Sequence, residues 1–390
     1  MNTEYLLAIS NQSLFVAFIF LLVAIVPVGL SVTSKNKWAK RLGMGLTYCS
    51  LFLQLTYFVL RWLAIGHAPV SNMYEFMTFF GIMLMASTLL LYQLYKQIVV
   101  VLFSIPTSLL IIGLGGVFTR EATPLIPALQ SNWLSIHVIT VAFSSAILSV
   151  AFATGVIYLL RVLDVDAKTM HTKSLEFVMY CLVVVIGFIM SSVIFSFTSD
   201  EMLIQFDNKE QQVEQVTYTM PVIIVNQGAT LVNGEHSVGL MEITNSIDAK
   251  KTNTIIWSLL VGTGLYMIIR MISRKKLIQL LKPFTKKVNP TVMDEISYRA
   301  IIVGFPLFSL GGLLFAMIWA HLAWGRFWGW DPKEVWALVT WLFYAAFLHL
   351  RTSQGWEGKR TAWMSIIGFG FIVFNQVFVN LVIAGLHSYA

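Results

Sequence analysis

Residues 13–33 read SLFVAFIFLLVAIVPVGLSVT, twenty-one in a row without a charge. At 1.5 Å of rise per residue, a helix of this length covers about 30 Å, the thickness of bilayer hydrocarbon. It is apolar all round and has no polar face to turn toward water, so it belongs in a membrane or in the middle of a large core. Working outward, comparable runs recur at 43–65, 76–95, 98–114, 134–160, 175–197, 254–272, 299–320, 332–350 and 361–382. Ten spans follow. Composition agrees: of 390 residues 57% are hydrophobic and 12% charged, with mean hydropathy +0.76, too few charges to cover a soluble surface. The residues before the first run, MNTEYLLAISNQS, lack a basic start, so that run is expected to be a retained span rather than a cleaved signal.

The net charge of +7 reports orientation rather than a nucleic-acid partner. Most Lys and Arg, among them Lys35, Lys40, Arg41, Lys173, Arg274, Lys275, Lys286 and Lys359, fall in alternate connections. The positive-inside rule places those connections in the cytoplasm and both termini outside. The longest outer segment, 198–253, is acidic and carries strand-like runs at 216–219, 222–225 and 230–232, with Asn233-Gly234 as a hairpin turn. The fold class is therefore an all-α polytopic membrane protein of about ten transmembrane helices, both termini extracytoplasmic, with a small β-containing outer insert. Its organisation is 1–197 for spans one to six, 198–253 for the insert, and 254–390 for spans seven to ten. The stretch 270–287, with leucines among lysines, reads as a basic amphipathic segment on anionic membrane lipids. Two cysteines, Cys49 and Cys181, lie in separate spans, and no C-x-x-C occurs, which excludes thiol–disulfide chemistry by this chain.

The densest local signal is the loop at 321–336. It contains Trp324, Arg326, Trp328, Trp330, Asp331 and Trp336, with Gly325 and Gly329 between the tryptophans. Asp331-Pro332-Lys333-Glu334 reads as a helix start, Asp capping, Pro at the first turn and Glu reaching back. Single tryptophans are ordinary at a membrane interface; this density, spaced by glycines, suits a large flat π system. Three histidines stand near span ends: His137 about one turn inside the fifth, His387 just past the tenth, and His349 at the far end of the ninth. Ionisable residues at such depths mark functional sites, and imidazole is a usual axial ligand of haem iron. A helix from Pro332 to His349 separates that histidine from the tryptophan loop by about 25 Å, so two sites are expected.

The block 324–351, WGRFWGWDPKEVWALVTWLFYAAFLHLR, resembles the tryptophan-rich WWD signature of cytochrome c biogenesis proteins of CcsA/ResC type, the System II haem-handling family. Ser71-Asn72-Met73-Tyr74-Glu75, residues 131–138 (SNWLSIHV) and Gly385-Leu386-His387-Ser388-Tyr389 match the same pattern. The tryptophan block taken alone also fits the related System I proteins. The resemblance implies the haem-handling subunit of a cytochrome c synthase that binds haem b and presents it for thioether attachment to CXXCH motifs. It implies that His137 and His387 ligate an outer haem beside Trp324, Trp328, Trp330, Asp331 and Trp336, and that His349 serves an inner one. The second inner ligand is then expected from a ResB/Ccs1-type membrane subunit. Apocytochrome c is the other implied partner, with a thiol-reducing protein beside it, and the cell membrane rather than the thylakoid is the implied location. No catalytic acid or base is expected. Arg120, Arg326 and Lys333 are the outer cations that suit haem propionates, Arg by its bidentate geometry. The alternatives are a System I-like haem exporter or chaperone, a b-type electron-transfer cytochrome, and a solute transporter; no inverted repeat supports the last.

Overall fold

The computed structural model describes residues 3–34, 36–121, 130–199, 201–207, 213–232, 239–245 and 248–379. His387, His236 and the Asn233-Gly234 turn lie outside the described residues. Among the described residues, ten helices are long and apolar enough to cross a membrane, as the runs of hydropathy require. The chain forms two compact units, one of Met1–Lys168 with Leu281–Ala390 and one of Thr169–Leu280.

The larger unit holds α1 (Thr3–Ser34), α2 (Lys37–Ile65), α3 (Met73–Tyr95), α4 (Ile98–Gly115) and α5 (Asn132–Val162). Helix α1 begins ten residues before the apolar run that announced it, because a helix continues into the interface after its hydrophobic stretch ends. Helix α5 packs against α3 and α4. Its buried run from Ser144 to Ile157 consists largely of Ser, Ala, Thr and Val, small side chains that let neighbouring backbones approach.

Among its described residues, the smaller unit contains α6 (Met170–Thr198), five short strands and α7 (Ala249–Ser273). Gly187 and Gly262 are where α6 meets α7; a Cβ on Gly187 would sit 2.4 Å from the Gly262 nitrogen. The insert is β-containing, as expected. Strand β1 (Met202–Asp207) was not legible in the sequence, yet it is central, antiparallel to both β2 (Val213–Tyr218) and β4 (Thr230–Leu231). The strand β3 (Ile224–Asn226) pairs in parallel with β5 (Met241–Ile243). Ile204, Tyr218, Val225 and Ala229 form the insert's own core. Burial there, reinforced by Asp248, pushes the Tyr218 hydroxyl up to about 12.

At its end α7 stops on Arg274 in left-handed conformation (φ 53°), and the basic stretch continues as a separate short helix, α8 (Leu277–Thr285). Glu176 holds the start of α8, accepting from the backbone of Leu277 and Ile278, both at 3.1 Å. Lys282 donates to the Arg161 and Leu163 carbonyls at 3.1 and 2.8 Å, and burial lowers its ammonium pKa.

The larger unit is completed by α9 (Pro290–Phe308), α10 (Ala316–Trp324), α11 (Pro332–Ser353) and α12 (Lys359–Val373). A π-helical turn, Ser309–Phe315, joins α9 to α10, and a second, Phe374–Phe378, follows α12. Helix α5 packs against α9, α12 and the first π turn.

Candidate functional site

Ser131 caps α5, its hydroxyl accepting from the Trp133 backbone at 3.2 Å, and this start sets His137 one and a half turns into the helix. His137 Nδ1 donates to the Gly311 carbonyl at 2.7 Å. A carbonyl only accepts, so the proton of the neutral imidazole is on Nδ1 and the lone pair on Nε2. A backbone carbonyl on one nitrogen is the usual way a metal-binding imidazole is oriented through the other. The bond depends on a close approach. Gly311 lies in the first π turn, and a Cβ there would come within 2.7 Å of the Val141 backbone nitrogen on α5.

Trp319 lies parallel to the His137 ring, centroids 5.8 Å apart and planes 10° apart, and is 1% exposed. Trp324 meets Trp319 edge-on at 4.8 Å. His137 and Trp319 line a cleft together with Phe327, Trp328, Lys333 and Asn375. Ser71 and Asn72 form part of its rim, where Asn72 caps α3 through the Glu75 N–H at 2.9 Å. Behind them the Arg61–Glu75 ion pair, 2.8 Å long and 1% exposed on each side, is closed off from solvent.

The tryptophan loop is built around Glu334. Its Oε2 accepts from the backbone of Gly329 at 2.7 Å and of Asp331 at 3.1 Å. Between those two anchors Trp330 is held at φ 57°, a conformation a bulky side chain adopts only when its surroundings enforce it, with its ring 70% exposed. Asp331 and Glu334 make the reciprocal capping box anticipated at the start of α11.

The sequence-predicted residues thus take different places. His137 and Trp328 line the cleft; Trp324 supports Trp319 from behind. Trp330 is at the exposed loop tip, edge-on to Trp328 at 5.9 Å. Asp331 caps α11, and Arg326 is folded against Gly329 in the space a Cβ would fill. Trp336 packs on Phe374 at 4.3 Å and is not among the cleft residues. His349 is exposed on α11, away from the cleft. Among the described residues, no three His, Cys, Asp or Glu side chains converge as a metal site. Sequence reasoning missed Trp319, hidden inside an apolar span, and Gly311, whose carbonyl is available to no motif. It also missed Asn375 and Gln376, though two adjacent amides inside a span are a legible signal. The donor set, one oriented imidazole between aromatic walls, fits the axial ligation of a flat metalloporphyrin.

Residues 70–196 and 254–387 match the family described as cytochrome C assembly protein. The chain is similar to the cytochrome c biogenesis protein CcsA of Cyanophora paradoxa, 29% identical over 91% of this chain and 89% of that one. It is 30% identical to CcsA of Prochlorococcus marinus strain NATL2A, over 96% and 92%. With CcsA of Synechococcus elongatus the figures are 31%, 84% and 81%. The matched residues include every cleft residue named above.

Proposed function

Since this multi-pass membrane chain belongs to the cytochrome c assembly protein family and acts in cytochrome c biogenesis, we propose that it binds haem b in the cleft beside His137 and presents it to apocytochrome c. The observation that carries this reading is the 2.7 Å bond from His137 Nδ1 to Gly311, which orients the ring so that Nε2 is the nitrogen that would bind a metal. When bound, haem supplies the iron centre and the vinyl groups to which the thiols of a CXXCH motif add. The chain's residues do the holding. His137 would hold the haem iron, Trp319 fixes the imidazole plane by stacking, and Trp328 contributes an aromatic wall. Trp330, exposed at the loop tip, offers the face an apocytochrome meets.

His387 is the second outer ligand in this reading, on the strength of its place after α12 and the second π turn. The exposed His349 belongs to a separate inner site completed by a ResB/Ccs1-type subunit, since an exposed histidine on a membrane helix needs a partner chain to enclose a cofactor. The alternating basic connections support a cytoplasmic inner side, extracytoplasmic termini and a tryptophan loop facing outward, where a thiol-reducing protein keeps the apocytochrome reduced.

The test is an absorption spectrum of the purified chain with its partner subunit. His137→Ala should shift the Soret band and lower retained haem, and added imidazole should restore the wild-type spectrum. A variant with an unchanged spectrum and haem content would defeat the assignment.

A further inference from the structure

The cleft wall is chemically mixed. His137 and Trp319 line it, and Lys333 and Asn375 contribute polar groups to it. Lys333 is half-buried in the first turn of α11, where its backbone N–H donates to Asp331 Oδ2 at 3.2 Å. Among the described residues no carboxylate lies within 4.0 Å of its ammonium. Of the two nearest acids in sequence, Asp331 caps α11 and favours the Lys333 ammonium by its charge without reaching it, and Glu334 grips the loop backbone. Asn375 is 5% exposed, sits in the second π turn, and its Oδ1 has no hydrogen-bond partner among the described residues.

Both groups are costly as they stand. A half-buried ammonium in an apolar cleft wants a counter-ion, and a buried amide oxygen wants a donor. The other two cations proposed for an anionic group are not among the residues that line the cleft. Arg326 is folded on Gly329, and Arg120 lies over the Tyr74 ring at 5.7 Å. We propose that Lys333, which shares the cleft wall with the Asn375 carboxamide, is a carboxylate-binding subsite, and that it takes a propionate of the porphyrin. The ammonium brings three N–H donors, enough to serve both oxygens of a carboxylate. This rests on the haem reading above, and it selects Lys333 over Arg326, the side chain that bidentate geometry favoured.

The experiment compares haem b with its dimethyl ester, which keeps the iron and the ring and removes both negative charges. Binding is titrated into the purified full-length chain, as wild type, Lys333→Met and Lys333→Arg. Wild type should prefer haem b by roughly ten- to a hundredfold, the usual range for a hydrogen bond to a charged group. Lys333→Met should bind the two ligands equally, holding the ester as tightly as wild type does, and Lys333→Arg should keep the preference. The subsite is overturned if Lys333→Met retains the full preference, or if wild type has none while binding both. Should Lys333→Met bind neither ligand, Lys333→Arg decides: a preference kept supports the subsite, a preference lost removes it. Failure of wild type to bind either porphyrin overturns the haem reading itself, and the subsite with it.

Discussion

Glu75 spends both of its carboxylate oxygens. Oε1 accepts from Arg61 Nε at 2.8 Å, and Oε2 from the backbone and hydroxyl of Ser71 at 3.0 and 2.8 Å. Arg61 in turn donates to the Arg120 carbonyl at 3.0 Å and lies over the Tyr74 ring. One buried charge pair therefore holds Ser71, which lines the cleft beside Asn72. Such a pair is weak evidence of stability as a whole, yet removing one partner strands the other in a dry site. Glu75→Gln should cost about 3–5 kcal/mol in a denaturant or thermal melt of the detergent-solubilised protein. Replacing both, Arg61→Met with Glu75→Met, should cost less than either single change. A Glu75→Gln protein as stable as wild type would show that the pair does not anchor the rim.

Two elements do at their own scale what single residues cannot. The π turns at Ser309–Phe315 and Phe374–Phe378 each contribute to the cleft wall, Gly312 from one, Asn375 and Gln376 from the other. A π turn holds one residue more than the α-helical count and so rotates everything after it by about 100° relative to an uninterrupted helix. In the first turn this rotation is what brings Trp319 onto His137 while Gly311 touches α5. Deleting Leu310, which is 40% exposed and packs little, should restore α-helical phase and carry Trp319 off the imidazole. The expected result is a protein that still inserts but has lost the axial-histidine Soret signature. Retention of the wild-type spectrum would mean that the π turn has no part in setting the site. The start of α11 is simpler, because Asp331 and Glu334 cap it with contacts three residues apart.

For the molecule as a whole, the decisive quantity is which side of the membrane each connection occupies. Lys and Arg cluster in alternate connections, and α7 runs from the acidic insert into the basic stretch at Arg274–Lys276. Crossing a bilayer with a cluster of cations is costly, so the basic end is expected in the cytoplasm. Cysteines introduced at the exposed positions Glu242 and Lys275 should react with an impermeant thiol reagent from opposite faces in sealed vesicles, Glu242 from outside. Labelling of Lys275→Cys from outside would reverse the orientation and with it the assignment of inner and outer haem sites.

The ten spans and the start of α11 were readable in the chain because both are local: a run long enough for hydrocarbon, and a cap whose partners are three residues apart. The position of His137 near the start of a span was readable too. Its hydrogen-bond partner was not, since Gly311 is 174 residues away and a carbonyl has no residue signature. Trp319 was hidden for a related reason, because hydropathy counts a tryptophan within a span as one more apolar residue. Its place over His137 depends on a π turn whose phase shift no regular helical periodicity includes. Trp336 shows the converse. It belongs to the tryptophan block by sequence, but the helical phase of α11 turns it onto Phe374. Strand β1 escaped notice because its partners β2 and β4 are what give so short a segment its ladder. Local polarity and caps can be read along the chain; helix phase, close backbone approach and cross-chain hydrogen bonds arise only when distant segments pack.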